Sequence, residues 1–136
     1  MENIDGILFD RKATNTYRDV YNEQCGCASC LLFYKDFETQ YVDIVSYLRQ
    51  FGIDINYPLT TMDISGEEDS YKNEYVIYYS VKGKLPVDKM KDKIAEVDVT
   101  LRNLNVADEV YANTGMKEPY FIIELNRIII YGDTSD

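Results

Sequence analysis

The period of the apolar residues changes once along this chain, and that change constrains the fold more than any other feature. Between Cys30 and Phe51, the residues Cys30, Tyr34, Phe37, Tyr41, Val45, Leu48 and Phe51 recur at steps of three and four, with Ile44 widening the stripe. This is the spacing of one face of an amphipathic helix, predicted from about Ser29 to Phe51, with a break allowed near Asp36. Gly52 follows, where a left-handed cap ends a helix, and Pro58 lies soon after.

Beyond that point the period is two. Tyr75, Ile77, Tyr79 and Val81 share one face of a strand predicted over Glu74–Lys82. Ala95, Val97, Val99 and Leu101 share one face of a second strand over Ile94–Asn103, with Glu96, Asp98, Thr100 and Arg102 opposite. That strand is expected to have one wet face. Tyr120–Tyr131 is apolar on both faces in places, through Phe121, Ile123 and Leu125 and then the run Ile128–Ile130. It reads as a central, doubly covered strand, with Pro119 tolerated only at its start. Residues 60–72 are polar and read as a solvated loop, and residues 104–118 as a connection with a helical turn near Ala107–Tyr111. Short strands are expected at Ile7–Phe9 and Thr16–Tyr21. The sum is an α+β fold: one long amphipathic helix on an antiparallel meander, with short N-terminal strands.

The length of 136 residues fits a single domain, 1–136, with 46% hydrophobic residues to form its core. Folding buries roughly two-thirds of the unfolded chain's surface, so no metal or disulfide is needed as a staple. The net charge is −10, from 24 acids and 14 bases. Nucleic-acid backbones and anionic membranes need clustered cations, so neither is an expected partner. The opening Met-Glu-Asn-Ile-Asp-Gly lacks the basic and apolar segments of a signal peptide, and no apolar stretch is long enough to span a bilayer. Three cysteines within six positions are not a secreted disulfide framework. A cytoplasmic location is expected.

Those cysteines form Cys25-Gly-Cys27-Ala-Ser-Cys30, immediately before the predicted helix. Cys25, Cys27 and Cys30 are candidate zinc ligands, but the chain has no histidine and no fourth cysteine. A carboxylate from Asp19, Glu23 or Asp36, or a partner chain, would have to complete the shell. A second reading is redox chemistry, because a helix N-terminus lowers the pKa of a thiol such as Cys27. A third is packing, since Cys30 belongs to the apolar stripe and free thiols pack as small apolar groups.

The cysteine motif, together with Phe51-Gly-Ile-Asp-Ile55 and Pro58, resembles a group of small Firmicutes proteins. These carry C-x-C-x-x-C before a helix and a later phrase of this kind. The resemblance covers about residues 16–64. It departs at Leu31-Leu32-Phe33, where the group commonly has Arg-Asn and an aromatic residue. The group has no established activity, so the resemblance implies kinship and no chemistry.

Catalysis is not expected. The commonest general base is missing, and there is no nucleophile elbow, P-loop or dinucleotide fingerprint. Glu67, Glu68 and Asp69 read as solvated acids in a loop, and Glu124 as exposed on the wet side of its strand. Thirteen tyrosines with no tryptophan give an aromatic balance suited to recognition surfaces or to core edges with wet hydroxyls. The reading that follows is a non-catalytic acidic domain that binds a basic protein, such as an immunity or inhibitor protein acting on a toxin. Glu67, Glu68, Asp69, Tyr71 and Tyr78 are its candidate contacts. The alternatives are a small zinc protein built on the three cysteines and a thiol-redox protein.

Overall fold

The computed structural model describes residues 2–16, 28–58, 60–63, 72–103 and 119–131. The strands are β1 (Glu2–Ile4), β2 (Ile7–Phe9), β3 (Thr60–Asp63), β4 (Lys72–Lys84), β5 (Lys89–Ile94), β6 (Val97–Asn103) and β7 (Tyr120–Tyr131). The helices are α1 (Arg11–Asn15), α2 (Ala28–Gln40) and α3 (Val42–Arg49). The sheet order is β1-β2-β4-β7-β6-β5, and β3 also pairs with β4. Every pairing is antiparallel.

The doubly apolar segment Tyr120–Tyr131 is central, as its composition predicts, held between β4 and β6. The meander expectation holds only for β5, β6 and β7. β4 lies beside β7 rather than beside β5. The two long strands are also the two richest in apolar side chains, and pairing them at the centre keeps both out of water. β5, with Lys89, Lys91 and Lys93 exposed, takes the edge, where its charges stay solvated and discourage pairing with another chain.

The predicted strand 94–103 is in fact a hairpin. Ala95 and Glu96 both have positive φ, 47° and 72°, and turn β5 into β6. This is the handedness that two-residue hairpins require, here without the usual Gly or Asn. Ala95 therefore leaves the buried face, while Val97, Val99 and Leu101 stay on it. The predicted loop 60–72 is also corrected at its start. Thr60–Asp63 pairs with Tyr75–Tyr78 as β3, a place that β-branched threonines suit. Thr16 ends α1 rather than starting a strand, and 17–21 lie outside the described residues, as do 104–118.

The long helix is two helices, broken at Tyr41 and not near Asp36. Tyr41 has φ −130° and ψ 56°, outside the helical region. Its stripe survives the break: Phe37, Ile44, Val45, Leu48 and Phe51 are all buried against the sheet. Pairing between β6 and β7 ends at Asn126, which leaves later backbone of β7 open on that side. The Tyr41 hydroxyl lies there and accepts from the Ile129 N–H at 2.8 Å. Tyr41→Phe should cost about 1 kcal/mol, because a half-buried donor loses its acceptor. Amide exchange at Ile129 should accelerate in that variant; unchanged exchange would refute the role.

A bulge explains the run Ile128–Ile130. Tyr75 pairs with Ile128, but Ile77 pairs with Leu125, so Val76 faces both Asn126 and Arg127. Arg127 takes φ 63°. The extra residue shifts the alternation by one, so Phe121, Ile123 and Leu125 point into the core, and so do Ile128 and Ile130.

Candidate functional site

A cavity of about 890 Å³ opens where the N-terminal strands and α1 meet the turn after α3. Its construction starts with Asp10. The Asp10 side chain accepts from the Ala13 N–H at 2.9 Å and so caps α1. Thr14 is buried, donates to the Asp10 carbonyl at 2.8 Å and accepts from the Lys82 N–H at 3.0 Å, which ties α1 to β4. The opposite wall comes from Gly52, which has φ 87° beyond the end of α3, as its place in the sequence predicts. Asn15 donates to the Gly52 carbonyl at 3.2 Å and joins the two walls.

Phe9, Ile53 and Ile55 are buried and form the apolar base. Around them stand Glu2, Asp10 and Asp54, and Arg11, Lys12 and Arg49. Each of these carboxylates already accepts: Glu2 from Arg11 Nε at 3.0 Å, Asp10 from the Ala13 N–H, and Asp54 from the Asn56 N–H at 3.1 Å. The cations are less committed. Arg49 gives only Nη1 to Glu38, at 2.9 Å, and both arginine side chains are half exposed. Lys12 is exposed and makes no ion pair among the described residues. The cavity thus has spare donors, and its lining includes no hydroxyl or thiol side chain.

The residues singled out in the sequence lie elsewhere. Cys25 and Cys27 fall outside the described residues, as do Asp19 and Glu23. Cys30 is the third residue of α2, and its side chain is likewise outside them. Asp36 follows it by six positions on the same helix. That is about 9 Å along the axis and about 120° around it, so the helix does not bring the two together. Among the described residues, no group of three His, Cys, Asp or Glu is placed to hold a metal ion. Glu67, Glu68, Asp69 and Tyr71 also fall outside the described residues. Tyr78 is on β4, on the face turned away from the helices, and its hydroxyl donates to Glu124 Oε1 at 3.2 Å. Glu124 is half-buried there, opposite in sense to Phe121, Ile123 and Leu125.

Two further tyrosines are structural. The Tyr79 hydroxyl donates to the Ile55 carbonyl at 2.7 Å, which fixes the base of the cavity to the sheet. Burial pushes the Tyr79 pKa well above 10.0, with Asp54 and then Tyr34 adding to the rise. Burial does the same at Tyr47, helped by the charge of Asp92. A raised folded-state pKa gives a contribution that is complete below the unfolded value of 10.0 and lost as pH rises above it. Urea midpoints should therefore fall above about pH 10, and less steeply for Tyr47→Phe. Equal slopes for the two proteins would contradict this placement of Tyr47.

The cavity was not readable beforehand. Asp10 with Ala13, and Gly52, are local signals of helix ends, but nothing local brings residues 2–15 to residues 49–56. Among the described residues, no helix is long and apolar enough to cross a membrane. Comparison of the chain with protein-family models, curated proteins and solved structures returns no match.

Proposed function

We propose that this chain is a non-catalytic binding domain that captures a basic protein, acting in the cytoplasm as an immunity or inhibitor protein. The observation that carries the reading is the net charge of −10, from 24 acids against 14 bases. The successive acids Glu67, Glu68 and Asp69, with Tyr71 and Tyr78, are the proposed contacts.

A net negative charge of this size steers a cationic partner and speeds its encounter. The reading also predicts gene order, with a toxin gene directly beside this one. The biochemical test uses the immobilised chain and a Glu67→Gln, Glu68→Gln, Asp69→Asn variant in lysate of the native host at low salt. A basic protein retained by the first and lost by the second is the expected result. Equal retention on both, or no retained protein, would count against the proposal.

A further inference from the structure

We propose that the cavity between α1 and the turn at Gly52 is a binding site for a small organic anion, with a phosphate or carboxylate head and an apolar body.

Three observations define the ligand. The first is size: about 890 Å³ lies within the range of small-molecule sites. The second is the floor. Phe9 is fully buried and presents no surface, so the carbon offered to an apolar body is the small exposed part of Ile53 and Ile55, 5% and 4%. The third is the balance of hydrogen-bonding capacity. Each carboxylate of the lining already accepts one bond, Glu2 from Arg11, Asp10 from the α1 cap and Asp54 from the Asn56 N–H, and keeps further acceptor sites. The cations have capacity to spare. A guanidinium carries five N–H donors in a planar fork, and Arg11 and Arg49 are each seen to commit one nitrogen. The Lys12 ammonium commits none among the described residues. A ligand entering this site meets these donors beside carboxylates that are each already engaged, and an anionic head set against Arg11, Lys12 and Arg49 satisfies the donors with charge-assisted bonds.

The walls are held in place before any ligand arrives. Asn15 bonds the Gly52 carbonyl, and Gly52 itself packs against the backbone of Arg11. The Tyr79 hydroxyl holds Ile55 from below. Such a site does not need to order itself around its ligand, which lowers the entropic cost of binding.

The test follows backbone amide resonances of the full chain during titration with phenyl phosphate, benzoate and benzylamine. The two anions should give saturable shifts at Arg11, Lys12, Gly52 and Asp54, and the tighter of the two identifies the preferred head. Lys12→Glu and Arg49→Glu should each weaken that binding about tenfold, the loss of one charge-assisted contact. Lys91→Glu, on the far edge strand, should leave it unchanged. Both cleft positions are exposed, and the spectra themselves report whether each variant is folded. Benzylamine shifting the same amides as strongly, anion binding that survives both substitutions, or no saturable shift with either anion would overturn the proposal.

Discussion

Phe51→Ala should destabilise the protein by about 3–5 kcal/mol, the range for removing a large aromatic side chain from a packed core. Phe51 is fully buried, and its ring contacts Phe9 at 5.0 Å, Tyr47 at 5.5 Å and Phe121 at 6.0 Å, each nearly edge-on. Those three residues belong to β2, α3 and β7. One side chain thus joins the N-terminal hairpin, the helical layer and the central strand. Edge-to-face pairs add to what burial alone contributes, so the loss should fall in the upper part of that range. Against a total of about 5–15 kcal/mol for an ordinary domain, such a loss is a large share. Urea unfolding with an unchanged slope and a much lower midpoint is the expected outcome. A loss below about 1 kcal/mol would mean that the three elements are held together by other contacts.

Gly52→Ala should cost about 3 kcal/mol or more, and Gly6→Ala only about 1. Both glycines have left-handed φ, 87° and 86°, so both substitutions carry the same conformational penalty. They differ in surroundings. A Cβ on Gly6 would meet Pro86 at 3.4 Å, an ordinary contact. A Cβ on Gly52 would overlap the Arg11 carbonyl oxygen and lie 2.8 Å from Arg11 Cγ. The carbonyl is backbone at the start of α1, so relief requires the two walls of the cavity to separate. The comparison isolates that steric part: similar losses at the two positions would show that α1 does not press on the turn after α3.

The helical stripe was legible because burial against a sheet demands a period near 3.6, and Phe37, Ile44, Val45, Leu48 and Phe51 are buried as that period requires, with Tyr41 half-buried among them. Its break was not legible. Tyr41 fits the stripe, and the partner of its hydroxyl at the break, the Ile129 N–H, lies 88 residues away. The bulge in β7 was written in the sequence as a change of phase, with Leu125 and Ile128 both apolar at odd spacing. That phase change is readable as a bulge once the strand is known to be continuous. The hairpin at Ala95-Glu96 carried no signal, since neither residue is a usual occupant of a left-handed turn. β4 beside β7 was likewise hidden, because strand order depends on which long strands bury best together and not on any local pattern. The cavity shares this property. Its helix ends are local, but the meeting of α1 with the turn at Gly52 is a tertiary event.

The proposed capture of a basic protein rests on the charge of the sequence, 24 acids against 14 bases. Its most direct test is the association rate of the captured protein with this chain, measured across a series of salt concentrations. Electrostatic capture predicts a rate that falls steeply as salt rises, a nearly constant dissociation rate, and a shallower dependence for the Glu67→Gln, Glu68→Gln, Asp69→Asn variant. An association rate that does not respond to salt, or the same dependence in both proteins, would contradict it.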